Sequence, residues 1–242
     1  MGLRRFPPVK SKDRDLTQEA CRRIKEMMLR YELRPGQKLE HQALAEQLGM
    51  SRTPVREALG RLTEEGFVTR VPHKGYSVSE ISAAEAQELF DLRECLELHS
   101  IEKAVKNCAD ADILELRSVL DSYKEAVSLG ITRQMFLADE NFHLKIAEIA
   151  GSTTLKRMLT TLFEKIIMKR TIEGISPSSG PTSYRRHLKI FKAVERRNLR
   201  EARQQIREHV QTGKKAVLDQ IRQREALFLS DADGERGRLR SS

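Results

Sequence analysis

Apolar residues recur three and four positions apart from Leu16 onward: Leu16, Ala20, Ile24, Met27, Met28 and Tyr31 form one stripe of a helix. It opens near Asp15, which can cap it with Gln18 three residues on. The stretch Leu33-Arg34-Pro35-Gly36 breaks this stripe with a Pro-Gly turn. A short helix follows through Ala43, Leu44 and Leu48 and stops at Gly49. A third runs from about Ser51 to Glu65, before Gly66. The pattern then changes to two short β-prone runs around Pro72-His73-Lys74-Gly75, which predicts a hairpin. Three helices and a hairpin fill residues 15–80.

The remaining pattern is helical throughout. Ser82 and Glu85 form a capping box before Leu89, Leu92, Leu96 and Val105. Further helices are predicted over residues 110–129, 133–150 and 153–172, with Gly130 and Gly151 closing the first two. Leu155, Leu159, Leu162 and Ile166 mark the inner face of the helix that starts at Thr153. A loop rich in Gly, Ser and Pro follows over residues 173–183, then helices over about 183–196 and 198–227. The start of the chain, residues 1–14, is basic, carries Pro7 and Pro8, and is expected to be a flexible arm. Residues 229–242 have little apolar content and are expected to be a disordered tail. The fold class is therefore mainly α: a winged helix-turn-helix over residues 15–80, then an all-α bundle of about six helices over 81–228.

Composition adds a bias in partners. Of 242 residues, 44 are Lys or Arg and 35 are Asp or Glu, a net charge of +9. Residues 1–80 hold 16 of the basic and 11 of the acidic side chains, so the first third is the more basic per residue. Such a balance favours a polyanionic partner. Cys21, Cys95 and Cys108 form no CxxC pair and no even framework, consistent with packing thiols in a reducing compartment. The first ten residues lack the apolar centre of a signal peptide, and no run reaches the length of a membrane span. The expectation is a soluble, cytoplasmic protein.

Two groups of residues carry candidate chemistry. In the third helix Val55, Leu59 and Leu62 share one face, so Arg52 and Arg56, four apart, lie together on another. Ser51 or Thr53 can cap this helix and Pro54 belongs in its first turn. A helix N-terminus offers free N–H groups and partial positive charge, and arginines and hydroxyls added there suit phosphate oxygens and guanine edges. Read alone, the arginines are equally a solvated face. Their place between a short helix and a hairpin tipped by His73 and Lys74 is the order of a winged helix-turn-helix.

The second group sits where apolar residues belong. Asp139 and His143 share the helix face of Phe142, Ile146, Ile149 and Ala150, one turn apart. His187 falls on the stripe of Tyr184, Ile190, Phe191 and Val194, and His209 on that of Ala202, Ile206 and Val210. A single inward histidine is commonly a hydrogen-bonded core residue. Four such groups converging suit one metal ion, because each would otherwise need its own buried partner. His99 stands alone and is expected at the surface.

Residues 15–80, with the Pro-Gly turn, LAEQLGMSRTPVREAL, EEGFV and Gly75 in order, resemble the DNA-binding domain of GntR-family bacterial transcription regulators. The resemblance implies that Ser51, Arg52, Thr53 and Arg56 meet bases and phosphates and that the wing tip, His73, Lys74 and Gly75, enters the minor groove. Where the family often opens its second helix with an arginine that touches DNA, this chain has His41 and Gln42, which leaves Gln42 as the candidate there. Residues 82–227, with DENFHLKIAEIAG, His187 and His209, resemble the FCD ligand-sensing domain of the FadR branch. That resemblance implies a divalent cation on Asp139, His143, His187 and His209, with zinc, nickel or manganese as candidates. A small carboxylate effector would complete its coordination. Arg93 matches an arginine that points to the effector in that branch; a surface salt bridge with Glu97 is the other reading of it. Asn141 is a further candidate effector contact.

The leading expectation is a homodimeric regulator, a repressor, that holds an inverted-repeat operator and answers an organic acid. Two alternatives stand beside it. The Asp and His cluster could be the catalytic centre of a metal-dependent hydrolase, although Glu140 points off that face and no general base is evident. Or the chain could be an architectural DNA-binding protein whose bundle is only stabilised by metal.

Overall fold

The computed structural model describes residues 11–30, 32–71, 75–80, 82–130, 132–173 and 180–238. The chain forms two compact units, residues 1–80 and 81–242. In the first, α1 (Ser11–Leu29) precedes β1 (Lys38–Leu39), α2 (His41–Leu48), α3 (Arg52–Glu64), β2 (Val68–Val71) and β3 (Gly75–Val78). Residues 11–14, expected in the flexible arm, are therefore the first turn of α1, while residues 1–10 and Tyr31 lie outside the described residues.

The apolar stripe of α1 packs on α3: Ala20, Ile24, Val55, Ala58, Leu59 and Leu62 have no measurable exposure. Leu16, the first member of the expected stripe, lies off this contact and is 44% exposed. Gly49 makes the sharp turn between α2 and α3. Its φ is +64°, the left-handed region that disfavours a side chain, and there Met50 N–H donates to Ala45 O at 2.9 Å. The hairpin pairs Thr69 with Ser77 and Arg70 with Tyr76, antiparallel. Among the described residues the sheet has a third strand, β1, on the other edge of β3, with Lys38 opposite Ser77. Two residues carry no readable period, which is why the sequence pattern did not predict it.

The second unit contains α4 (Ala83–Asn107), α5 (Asp110–Leu129), α6 (Thr132–Ile149), α7 (Thr153–Glu173), α8 (Gly180–Glu195) and α9 (Leu199–Arg238), six helices among the described residues. Ser82 caps α4 by accepting from Glu85 N–H at 3.1 Å. α8 starts at Gly180 instead of Ser183, with Pro181 in its first turn, where the missing N–H is no loss. α9 continues past Leu227 to Arg238, so the expected disordered tail is helical through residue 238. Once a helix exists, each added residue brings one hydrogen bond, and no proline interrupts this stretch.

α4 lies along α9, α5 packs on α6 and α8, and α6 also meets α4 and α7. The shared core is built from Ile101, Leu116, Leu120, Phe142, Ile146, Ile190, Phe191, Val194, Ala202 and Ile206. Here α4 departs from the pattern. Its buried face is Ala86, Phe90, Arg93, Glu97, Ser100, Ile101 and Ala104, whereas Leu92 is 46% exposed. Two charged residues on the inner face had displaced the apparent stripe by about one position. Among the described residues no helix is long and apolar enough to cross a membrane.

Candidate metal centre and exposed arginine helix

α6 presents Asp139 and His143 one turn apart, α8 presents His187 and α9 presents His209. All four are buried, and one ligand atom from each lies within 4.8 Å of all the others. Nε2 of His143 is 3.1 Å from Nε2 of His209 and 3.1 Å from Nε2 of His187. Nε2 of His187 is also 3.2 Å from Asp139 Oδ1. The three helices thus bring three imidazole nitrogens and a carboxylate to one point.

Burial and mutual proximity shift the protonation of Asp139, His143 and His209. His187 Nδ1–H donates to Ser183 O at 2.8 Å, and its Nε2 faces the cluster. Burial holds His143 below the ordinary histidine range, against the opposing pull of Glu97. Burial, reinforced by the neighbouring imidazoles, holds His209 well below it. Burial works against the charge on Asp139, but its hydrogen bond to His187 and the nearby charges win, and its carboxyl lies well below the usual range. Nδ1 of His209 is buried without a hydrogen-bond partner. Three nitrogens and one carboxylate fit a divalent cation, and an ion taking five or six ligands would keep a coordination position open.

Two neighbours complete the site. Arg93, 1% exposed, donates from Nε to Glu97 Oε1 at 2.5 Å, so this ion pair is a buried one and not a surface salt bridge. Nη2 of Arg93 stands 3.1 Å from His143 Nε2 and 3.4 Å from His209 Nε2. Its guanidinium carbon is 4.4 Å from the Phe163 ring centre, and the same ring stacks on His143 at 5.4 Å. Glu97 Oε2 lies 2.6 Å from His143 Nδ1, in a short but bent contact. Burial opposes the charge on Glu97, yet Arg93 and His143 hold its carboxyl below the usual range.

Sequence reasoning missed Glu97 and Phe163 as members of the site. The signal for Glu97 was present: Arg93 and Glu97, four apart, fall between Phe90 and Ile101 on a single face. Asn141 lies away from the cluster. Two residues on from Asp139 it points to the opposite side of α6, is exposed, and lines a groove with Leu137 and Lys145. Glu140, beside the cluster, is pushed up to about 7 by burial and by the carboxylates of Glu164 and Asp139.

In the first unit, the second candidate surface divides as its periodicity predicts. Arg52, Thr53 and Arg56 are exposed, while Pro54, Val55, Ala58 and Leu59 are buried. Ser51 takes the extended N-cap conformation, yet its hydroxyl makes no capping hydrogen bond. Gln42 is exposed on α2 and is 3.4 Å from Glu46. Gly75 opens β3 at φ +88°, and His73 and Lys74 lie outside the described residues.

A winged helix-turn-helix unit with exposed arginines at the start of its third helix, followed in the same chain by an all-helical unit holding a buried Asp and His cluster, defines a DNA-binding transcriptional regulator. The chain belongs to the GntR family: residues 16–78 match the bacterial regulatory proteins of that family and residues 88–212 match the FCD domain. It is 32% identical to the Nta operon transcriptional regulator of Aminobacter aminovorans over 81% of this chain and 91% of the relative. It is 25% identical to the transcriptional repressor RspR of Escherichia coli, over 81% of this chain and 86% of that protein. The solved structure of E. coli McbR/YncC superposes with a TM-score of 0.76 and 27% identity, covering 85% of this chain and 98% of the other. These relatives are regulators, and the chain is a transcriptional regulator, not an enzyme; the hydrolase alternative is set aside.

Proposed function

We propose that the protein binds an inverted-repeat operator as a homodimer, represses transcription there, and answers a small organic acid held on a divalent cation in the helical unit. The convergence of Asp139, His143, His187 and His209 within 4.8 Å carries this reading. Zinc suits three imidazoles and a carboxylate best, with nickel and manganese as the other candidates. When bound, the cation supplies a Lewis-acid position for one carboxylate oxygen of the acid.

The chain's own residues supply the rest. Arg93 has its guanidinium beside the imidazole nitrogens, where it can take the second carboxylate oxygen. Ser51, Arg52, Thr53 and Arg56 meet the major groove and its phosphates, with Gln42 beside them, while His73, Lys74 and Gly75 contact the minor groove. Binding of acid would re-angle the helices that carry the cluster and change the spacing of the two recognition helices in the dimer. Working on DNA, the protein acts in the cytoplasm. RspR, similar over most of both chains, is itself named a repressor, which favours repression.

The test combines elemental analysis of the purified protein with titration onto its own upstream DNA in the presence of candidate acids. One divalent cation per chain and acid-dependent release from DNA are expected. A protein that carries no cation after exposure to zinc, nickel and manganese sinks the sensor; absence of a footprint at any salt concentration sinks the operator.

A further inference from the structure

The two carboxylate oxygens of Glu97 face different parts of the cluster. One accepts from Arg93 Nε at 2.5 Å and the other lies 2.6 Å from Nδ1 of His143. It is 3% exposed, so this carboxylate has little access to water and its charge is answered by the groups around it. Arg93 is equally confined. Its Nη2 is 3.1 Å from Nε2 of His143 and 3.4 Å from Nε2 of His209, on the side where those nitrogens converge with His187 and Asp139.

We propose that Glu97 is a positioning residue of this centre. By facing Nδ1 of His143 it places that proton on the outer nitrogen and turns the Nε2 lone pair inward. The same carboxylate holds the Arg93 guanidinium against the converged imidazoles. An acceptor on the far ring nitrogen fixes tautomer and ring orientation, and the loss of such partners typically lowers metal affinity by about 10- to 100-fold. Ser183 O plays the corresponding part for His187 with a main-chain carbonyl, which no side-chain substitution removes. Nδ1 of His209 is buried with no partner, whereas Nδ1 of His143, although its contact is too bent to count as a hydrogen bond, has Glu97 Oε2 at 2.6 Å. Of the three histidines, His143 is therefore the one whose ligand state a single side chain controls, and that side chain is tied to Arg93.

This inference rests on the cluster being a cation site, and the experiment separates the two. Full-length protein labelled with nitrogen-15 in histidine and treated with chelator is compared with Glu97→Gln and Glu97→Ala by imidazole NMR. Each is then titrated with zinc against a chromophoric chelator, with circular dichroism as the check on folding. In the wild type His143 should show one tautomer, protonated at Nδ1. In both variants that single state should be lost and zinc affinity should fall at least tenfold, with Glu97→Gln the milder. If both variants fail to fold, the wild-type spectrum decides alone. His143 protonated at Nε2 in the wild type, or variants with unchanged tautomer and unchanged zinc affinity, overturns the assignment. A wild type with the expected tautomer that binds no zinc, nickel or manganese removes the sensor and leaves the role of Glu97 toward His143 standing.

Discussion

Nη2 of Arg93 stands 3.1 Å from Nε2 of His143, and the same Phe163 ring lies under both the guanidinium and the imidazole. A permanent positive charge thus sits beside the nitrogens that would grip a cation. Two unit charges 4 Å apart interact by about 4 kcal/mol at an effective dielectric of 20, and affinity changes about tenfold for each ~1.4 kcal/mol.

Removing that charge should therefore help the cation and harm the empty protein. Arg93→Met is expected to tighten zinc binding by about tenfold, read by chelator competition, if a third of that repulsion survives relaxation. The same variant leaves Glu97 buried and uncompensated, and its metal-free form should lose about 3–5 kcal/mol of stability. Added carboxylates should no longer change its DNA binding. Weaker zinc binding together with intact acid response would contradict the repulsion.

Cation binding should stabilise the fold through mass action. At 100 times the dissociation constant a ligand adds about 2.7 kcal/mol, which for a chain of this size raises the melting temperature by about 5–10 °C. Chelator-treated protein given zinc should show that rise. His209→Ala, which deletes one of the converging nitrogens, should show little of it.

The exposed arginines and the buried leucine of α3 should separate cleanly. Arg52→Ala and Arg56→Ala are each expected to weaken operator binding by about 1–3 kcal/mol, measured by fluorescence anisotropy, with the melting temperature unchanged. Leu59, with no exposed surface, anchors the same helix on α1. Leu59→Ala should instead lower unfolding stability by about 2–5 kcal/mol.

An acid-side dependence follows from Glu148, which accepts from Lys156 Nζ at 2.5 Å and from Lys145 Nζ at 2.9 Å. These hydrogen bonds, that of Lys156 first, hold its carboxyl down at about 2, below the ordinary 4.5. A carboxyl depressed by folding contributes stability that is present above pH 4.5 and fades as the pH falls toward 2. Its side chain is half exposed, so screening keeps the contribution at about 0–1 kcal/mol. Glu148→Gln should be slightly less stable than wild type at pH 7 in urea unfolding, and the gap should close toward pH 3.

The site was unevenly legible in the sequence. Asp139, His143, His187 and His209 stand out because each interrupts an apolar stripe, and all four are buried together. Arg93 and Glu97 interrupt one as well, but as an i, i+4 pair of opposite charge they have the spacing of an ordinary surface salt bridge. Only burial separates the two cases, and burial comes from α6, α7 and α9 packing against α4. Asn141, although close in sequence to Asp139 and His143, lies on the other side of α6 from them.

By itself the sequence determined the helices, the turns at Gly49 and Pro35-Gly36, and the inward face of most helices though not of α4, because these follow from contacts within a few residues along the chain. Even there it set some ends short, as α9 shows by continuing to Arg238. Tertiary packing alone decided that nitrogens from α6, α8 and α9 meet at one point and that the Arg93 and Glu97 charges of α4 are sealed beside them. The 3.6-residue period fixes a direction around one helix axis. Which groups share a point, and how far water is excluded from them, is set by how separate helices pack.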